Sequence, residues 1–194
     1  MIRLFFDTET SGLPKRFSAP ATDLDSWSTA RLVQLSWILA DEREELSRGD
    51  FIIRPEGFVI PEEASRVHGI TTEQALERGA ELKRVVYYFL GAARVAEVLV
   101  GHNVPFDLGV VGAELIRTWG KNYLEGLKAE DTMRASVEYC AIPKANGGIG
   151  YKWPKLQELY VKCFGHEFEG AHNSMSDISA TFECYWALKE LNII

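Results

Sequence analysis

The chain is poor in cysteine, and its cysteines form no recognisable pattern. Cys140, Cys163 and Cys184 lie far apart in the sequence without C-x-x-C spacing. An odd count without pattern disfavours a zinc site or a disulfide framework, and is typical of free thiols in a reducing compartment. We therefore expect a cytoplasmic protein with free, mostly buried thiols.

Long apolar segments are also missing. No apolar run in the sequence is long enough to cross a membrane. The first nine residues lack the basic segment, the apolar segment and the cleavage site that together define a signal peptide. These absences predict that the protein has no membrane partner.

Positive charge is scarce. The chain has 21 Lys and Arg against 28 Asp and Glu, which gives a net charge of −7. Proteins that bind a long duplex mainly by charge usually have more basic than acidic residues, because phosphate contacts need Lys and Arg. The acidic balance agrees with nucleic-acid binding only if the acids cluster at a metal site and basic residues line the approach.

The chain does have enough apolar sequence for one folded domain over residues 1–194, since 46% of it is hydrophobic and 25% is charged. Predicted strands come first, at 2–6, 32–40 and 46–54, and helices alternating with strands follow. This order favours a mixed α/β sheet. Residues 14–31 have two prolines and no periodicity, and they are predicted to form a long loop.

Two acids, Asp7 and Glu9, follow the apolar run Ile2–Phe6 at the point where the first predicted strand leaves the core. Side chains two residues apart on a strand point to the same side, so the two carboxylates are expected to be neighbours. Neighbouring carboxylates repel each other unless a cation lies between them, and Mg²⁺ prefers oxygen ligands. Taken alone, the segment could also be a polar turn after a strand.

A third acid, Asp107, belongs to the segment GHNVPFD at 101–107, where a short buried strand leads into a helix. Asn103 is predicted to cap that helix, and Pro105 is tolerated in its first turn. A carboxylate in the first turn is favoured by the helix dipole. An ordinary surface acid is the alternative interpretation.

His172 and Asp177 precede and begin the last predicted helix. Five helical residues correspond to a rotation of about 140° around the axis, so both side chains cannot share one face of the helix. His172 is therefore predicted on the loop before the helix, and Asp177 in its first turns. Taken alone, His172 is better explained as an exposed loop histidine, and Asp177 could be an ordinary acid at the start of a helix.

Taken in order, the segments DTETSGL, HNVPFD and H-x₄-D resemble the three motifs of the DEDDh exonucleases, the DnaQ-like family. That family includes polymerase proofreading subunits, repair exonucleases and RNA-trimming enzymes. The resemblance covers nearly the whole chain and extends to the segment His68–Thr71 and to Asp131-Thr132. It implies an RNase H-like fold, with a five-stranded mixed sheet flanked by helices. It also implies hydrolysis of phosphodiester bonds from a 3′ end, with release of nucleoside 5′-monophosphates.

The resemblance also implies roles for the site residues. Asp7, Glu9, Asp107 and Asp177 would be the metal ligands, since four carboxylates carry about the charge that two Mg²⁺ ions balance, and Mn²⁺ could substitute. His172 would be the general base that takes a proton from the attacking water. Histidine suits that role because it titrates near neutral pH.

Substrate contacts are implied by the same resemblance. The backbone from Thr8 to Thr10 would hold the 3′-terminal nucleotide, and Leu13 would be an apolar wedge near the last bases. Asn103 and Phe106 complete the expected substrate-binding set. His102, beside Asn103, is expected to have a structural role.

Basic and aromatic loop residues are further candidates for substrate contacts. We expect the basic side chains that have no acid near them in sequence to guide the phosphate backbone: Lys15, Arg16, Lys144, Lys152 and Lys155. The aromatic loop residues could stack on bases or simply anchor their loops: Trp27, Tyr151 and Trp153.

Several alternatives stay open at this point. The choice between DNA and RNA depends on contacts to the 2′ position, while the modest basic content favours single-stranded ends. The protein could be a proofreading module within a polymerase assembly, a repair enzyme, or a catalytically silent scaffold; the complete set of five site residues disfavours the last. The sequence ends soon after the last helix, which favours a free-standing enzyme. The sequence does not distinguish a monomer from a homodimer.

Overall fold

A computed structural model describes residues 1–145 and 147–194 of the chain. Five strands form one sheet in the order β3-β2-β1-β4-β5. β1 pairs antiparallel with β2, and β2 with β3, whereas β1–β4 and β4–β5 are parallel. The strands are β1 (Ile2–Thr10), β2 (Leu32–Asp41), β3 (Glu44–Ile52), β4 (Val98–Gly101) and β5 (Ala129–Asp131). The predicted five-stranded mixed sheet is confirmed.

The predicted third strand was placed too late in the sequence. β3 ends at Ile52 rather than at Arg54. The backbone N–H of Arg54 donates to the carbonyl of Ala80 at 2.9 Å. The chain therefore leaves β2 and contacts the segment before the third helix, a long-range pairing that local sequence does not reveal.

Eight helices are found among the described residues: α1 (Glu62–His68), α2 (Thr72–Arg78), α3 (Leu82–Ala93), α4 (Val104–Trp119), α5 (Thr132–Ala135), α6 (Val137–Cys140), α7 (Leu156–Phe164) and α8 (Ser174–Glu190). The predicted capping box at Thr71 is present, with Gln74 as its partner. Gly69 ends α1 in the left-handed conformation.

One predicted helix is divided into two short ones. The expected helix over 133–139 is replaced by α5 and α6, which meet at Ser136. The Ser136 hydroxyl donates to the carbonyl of Thr132 at 2.6 Å. Serine side chains compete in this way for helix carbonyls, which is why an uninterrupted helix was a poor expectation here.

The two faces of the sheet are covered by different helices. Leu4 and Phe6 of β1 pack in one cluster with residues of α3 and α4. Phe5, which points the other way, packs in a second cluster with Tyr185 and Trp186 of α8. Because strand side chains alternate in direction, β1 contributes to both layers. The ends of β1, α4 and α8 can therefore meet at one edge of the sheet.

Residues 14–31 contain neither helix nor strand, as predicted. This loop lies over α4, where Trp27 is 1% exposed. A Cβ atom added at Gly109 would lie 2.1 Å from the Trp27 ring, so only glycine permits this contact. Of the two alternatives left open for Trp27, the structure agrees with loop anchoring, because its ring is part of the core.

The cysteines pack closer together than their sequence spacing suggests. Cys140 and Cys163 pack against the buried cluster that contains Cys184. All three thiols are free, and Cys140 and Cys163 are half-buried. The expectation of mostly buried thiols thus holds fully for Cys184 alone.

We also searched the described helices for candidate membrane spans. None of them is both long enough and apolar enough to cross a bilayer.

Candidate active site

Three of the predicted acids meet at the end of β1. One carboxylate oxygen from each of Asp7, Glu9 and Asp177 lies within 4.8 Å of the others. Asp7 and Glu9 share a side of β1, as the strand alternation predicted. Asp177 comes from the first turn of α8.

The start of α8 is held by one contact to β1 and by a cap of its own. Ser174 is fully buried, and its hydroxyl donates to the carbonyl of Asp7 at 3.2 Å. The Asn173 side chain accepts from the N–H of Ser176 at 3.3 Å, which caps the helix. Sequence reasoning missed Ser174, although an Asn cap followed by Ser was the available signal for a helix start.

Asp107 is only 3% exposed, so it is not an ordinary surface acid. Its Oδ1 accepts hydrogen bonds from the Thr8 backbone N–H at 3.1 Å and from the Thr8 hydroxyl at 2.7 Å. Thr8 lies between Asp7 and Glu9 and points to the other side of β1. Asp107 is therefore anchored next to the three clustered acids, but its carboxylate is not a member of that cluster.

Burial and mutual repulsion make the acids difficult to ionise. Burial, and then the charges of Asp107, Asp177 and Glu9, raise the pKa of Asp7 well above its ordinary range. Burial and the charges of Asp177 and Asp107 raise the pKa of Glu9 to about 8. The pKa of Asp107 is raised to about 7 by burial, although the hydrogen bonds from Thr8 oppose the shift.

Asp177 is less strongly affected. Burial raises its pKa to about 6, and the charge and backbone N–H of His172 oppose the shift. Among the described residues, no lysine or arginine forms an ion pair with any of the four acids. The site thus has concentrated negative charge without a cationic side chain to balance it, which favours a bound cation.

His172 lies where the sequence placed it, on the loop before α8. Its backbone adopts the left-handed conformation with φ 67°. Its N–H donates to Oδ2 of Asp177 at 3.2 Å, and the side chain is exposed. The backbone of His172 is therefore held beside Asp177, and its imidazole is exposed to solvent.

The turn between β4 and α4 differs from its prediction. Asn103 occupies the N-cap position of α4 but makes no side-chain cap, because its backbone is left-handed with φ 77°. Its N–H instead donates to Oδ1 of Asp131 at 3.0 Å. His102 has the expected structural role, with Nδ1 3.0 Å from the Thr132 hydroxyl and Nε2 3.0 Å from the Pro154 carbonyl. Burial lowers the pKa of His102.

The predicted substrate-binding residues divide by exposure. Leu13 is 64% exposed, whereas Phe106 is half-buried and packs against the core beside Phe17. Thr8 and Thr10 are buried. The Thr8 hydroxyl is held by Asp107, and the Thr10 hydroxyl donates to the Gly12 carbonyl at 2.8 Å. The side chains of both threonines thus have partners within the protein.

The expectation that five basic side chains have no acid near them is wrong for three of them. Lys15 pairs with Asp25 and Arg16 with Asp23, each at 2.7 Å. Lys152 contacts Glu158 at 2.6 Å. The acids that pair with these cations lie six to ten residues away in sequence. Immediate sequence neighbours therefore do not reveal these ion pairs.

Two of the predicted cations remain accessible for other partners. In the described part of the chain, neither Lys144 nor Lys155 forms an ion pair. The same loop contains Tyr151 and Trp153, which are 38% and 63% exposed. Asn146, also within this predicted loop, lies outside the described residues.

Comparison with known proteins gave one family match and many structural matches. The model of the exonuclease family RNase T matches residues 4–185. A comparison with curated protein sequences found no significant match.

The similar solved structures include several of exonuclease I. Its structure from E. coli in complex with a dT13 oligonucleotide has a TM-score of 0.75 and 21% sequence identity, covering 97% of this chain and 41% of that one. The zinc-bound E. coli complex with single-stranded DNA has a TM-score of 0.74 and 23% identity, covering 98% and 40%. A product-bound exonuclease I structure has a TM-score of 0.74 and 20% identity, covering 99% and 44%. This chain thus has the fold of a region that makes up about two fifths of those proteins.

Proposed function

Because the chain belongs to the RNase T family of exonucleases, as the resemblance of its motifs to the DEDDh 3′–5′ exonucleases predicted, we propose that it is a metal-dependent 3′–5′ exonuclease. Its substrates are single-stranded ends of DNA or RNA, and its products are nucleoside 5′-monophosphates. The observation that carries this proposal is the close approach of Asp7, Glu9 and Asp177 at the end of β1. Residues 1–194 would act as one catalytic domain.

The acidic cluster suits hard divalent cations. Its donors are carboxylate oxygens, which Mg²⁺ and Mn²⁺ prefer over the softer ligands of other sites. Asp7, Glu9 and Asp177 would hold the ions, and Asp107, anchored by Thr8, would complete the ligand set. When bound, two such ions would activate the attacking water and stabilise the leaving oxygen. The raised pKa values of the carboxylates are the expected property of ligands that lack their cation.

His172 is proposed to take the proton from the attacking water. His172 lies on the loop before α8, where its backbone N–H donates to Asp177, and its exposed imidazole would lie beside the acids. General bases of this kind accelerate reactions by about 10²- to 10⁴-fold.

The 3′-terminal nucleotide is proposed to bind along the end of β1. Leu13 and Phe106 offer accessible apolar surface for its base, and the backbone near Thr8, Thr10 and Asn103 offers polar groups for its sugar and phosphate. The oligonucleotide complexes of exonuclease I, which has the same fold, support nucleic acid as the ligand.

The test uses oligonucleotides labelled at one end only. With Mg²⁺ or Mn²⁺, a 5′-labelled strand should shorten progressively, whereas a 3′-labelled strand should release a labelled 5′-monophosphate in the first step. EDTA should stop both reactions. Matched DNA and RNA strands, single- and double-stranded, would define the preferred substrate.

The matched control is the isosteric Asp7→Asn variant, which keeps the side-chain shape but removes one charge. Activity that survives EDTA or this substitution would contradict the metal-dependent mechanism. Shortening from the 5′ end, or release of 3′-monophosphates, would contradict the proposed polarity.

A further inference from the structure

A groove lies at the end of the molecule away from the acids, between α3 and the segment that follows α4. Its volume is about 950 Å³. Four aromatic side chains line it: Tyr87 and Tyr88 from α3, Trp119 at the end of α4, and Tyr123. The other lining residues are Arg94 and a set of small or aliphatic residues: Leu90, Gly91, Ala93, Ala96 and Leu127. We refer to this groove as the aromatic groove.

The three tyrosines of the groove are exposed to solvent, whereas Trp119 is partly buried against the core. Tyr87 is 68% exposed, Tyr88 43% and Tyr123 48%. The rings of Trp119 and Tyr123 meet edge to face at 6.1 Å, which leaves part of each ring face open. Contiguous exposed apolar and aromatic surface of this kind usually marks a binding site.

The lining of the aromatic groove includes one cation, Arg94, and no acid. The segments 82–96 and 115–124 contain no acidic residue, although Glu81, Glu97, Glu114 and Glu125 flank them directly. Across the described residues, no ion pair is formed by their surface cations Lys83, Arg84, Arg94 and Lys121. One acid, Glu81, lines the adjoining depression at the start of α3. This arrangement differs from that of Lys15, Arg16 and Lys152, which are each paired with an acid.

Two of these cations lie against the aromatic rings. The Arg84 guanidinium is 5.6 Å from the centre of the Tyr88 ring, and the Lys121 ammonium is 5.5 Å from that of Tyr123. Aromatic faces beside unpaired cations are the combination that single-stranded nucleic acids need, because every base stacks and every linkage carries one negative charge.

The position of the groove relative to the acids is set by α4. Asp107 lies in the first turn of this helix and Trp119 at its end, a rise of about 18 Å along the axis. A strand whose 3′ end lies at the acids could therefore reach the groove several nucleotides upstream. We propose that the aromatic groove binds single-stranded nucleic acid as a second contact for the substrate strand. The inference rests on the proposed function only for the identity of that strand.

A second copy of the chain is a less suitable occupant. A symmetric dimer would place the same patch on both sides of its interface. Such an interface would bring two sets of Lys83, Arg84, Arg94 and Lys121 together, which are eight cations against the flanking acids Glu81, Glu97 and Glu125 of each copy. The charge pattern therefore favours a polyanionic ligand over self-association.

The experiment measures binding without catalysis. The probe is a 16-nucleotide fluorescein-labelled oligothymidylate, compared with a trinucleotide that is too short to extend from the acids to the groove. Binding is measured by anisotropy in EDTA with the Asp7→Asn protein. Replacing Tyr87 and Tyr123 together by Ala should weaken binding of the long strand about tenfold or more and leave the trinucleotide unaffected. Replacing both by Phe should preserve binding, because the rings remain.

A second pair of variants tests the charges. Arg94→Gln with Lys121→Gln should reduce the slope of log affinity against log salt by about 1.4, since each phosphate contact in a single strand contributes about 0.7. The matched control is Arg66→Gln with Arg78→Gln, which removes two exposed charges elsewhere and should leave the slope unchanged.

Three outcomes would overturn the proposal. The first is unchanged binding of the long strand by the tyrosine and cation variants, and the second is failure of the parent protein to bind it. The third is a change in sedimentation mass in the tyrosine variant with unchanged oligonucleotide affinity, which would assign the groove to a second copy of the chain. Because no step depends on hydrolysis, a failure of the proposed nuclease activity would leave these results interpretable.

Discussion

The two ends of the molecule differ in chemistry and in the way the sequence encodes them. At the carboxyl end of β1, Asp7, Glu9 and Asp177 create a dense negative site from three short segments, with Asp107 anchored beside it. At the other end, the aromatic groove combines exposed rings with unpaired cations. The acidic end suits the cations of a catalytic centre, whereas the groove suits the polyanion on which that centre would act. An acidic protein can therefore bind nucleic acid if its charges are separated along the molecule.

The largest effect that separates the two ends is expected from Asp7→Asn. Nuclease activity should fall by about 10³-fold or more, because the substitution removes a central ligand of the proposed metal site. Binding of a long oligonucleotide in EDTA should be retained, since the groove is untouched. Initial rates of monophosphate release and anisotropy titrations measure the two quantities. If Asp7→Asn lost binding and activity together, catalysis and strand binding would not be separated between the two ends.

His172→Ala should give the next largest effect, a fall of about 10²-fold in the rate of hydrolysis. Stabilisation of the protein by Mg²⁺ or Mn²⁺ should be unchanged, because the imidazole is proposed as a base and not as a ligand. His166→Ala is the matched control, since His166 is also an exposed histidine after α7 but has no contact with the acids. Equal effects of the two substitutions would argue against a role for His172 in proton transfer.

A smaller effect should be seen in the stability of the metal-free protein. The site carboxylates have higher pKa values in the folded chain than in the unfolded chain, with Asp177 at about 6 and Glu9 at about 8. The folded state therefore binds more protons, so stability present near pH 4 is lost as the pH rises towards 8. Over this range the free energy of unfolding in EDTA should fall by an amount of order a few kcal/mol. The melting temperature should therefore fall by several degrees. Mg²⁺ or Mn²⁺ should reverse the fall at pH 8.

The comparison between ends supplies the control for this measurement. Asp7→Asn should flatten the dependence on pH and weaken the stabilisation by metal, whereas the Tyr87 and Tyr123 substitutions should change neither. A metal-free protein that became more stable between pH 5 and pH 8 would contradict the crowding of negative charge at the end of β1.

The acidic end was predictable because its geometry is local. Strand alternation placed Asp7 beside Glu9, and the helical rotation between His172 and Asp177 placed the histidine on a loop. The convergence of the separate segments came from the motif resemblance rather than from the residues themselves. Burial of Asp107 was not predicted, because the hydrogen bonds from Thr8 that allow it cross 99 residues of sequence.

The groove could not be predicted from the sequence for the same physical reason. Tyr87 and Trp119 are adjacent only because α3 and α4 pack on the same face of the sheet. Amphipathic periodicity indicates which side of a helix is buried, but it does not indicate which exposed side chains of two helices become neighbours. The erroneous basic patches had a similar cause, since the partner acids lie beyond the immediate sequence neighbourhood.

The smallest expected effect concerns two lysines of the loop that joins α6 to α7. They are members of neither the acidic cluster nor the aromatic groove. Lys152→Gln should change KM for an oligonucleotide by less than about twofold, because Glu158 already neutralises this lysine at 2.6 Å. Lys144→Gln should raise KM more, since Lys144 has no acidic partner among the described residues and donates to the carbonyl of Ile149. Steady-state kinetics at two salt concentrations would compare the variants. If Lys152→Gln had the larger effect, the ion pair with Glu158 would have to open on substrate binding, and this loop would contribute a third substrate contact.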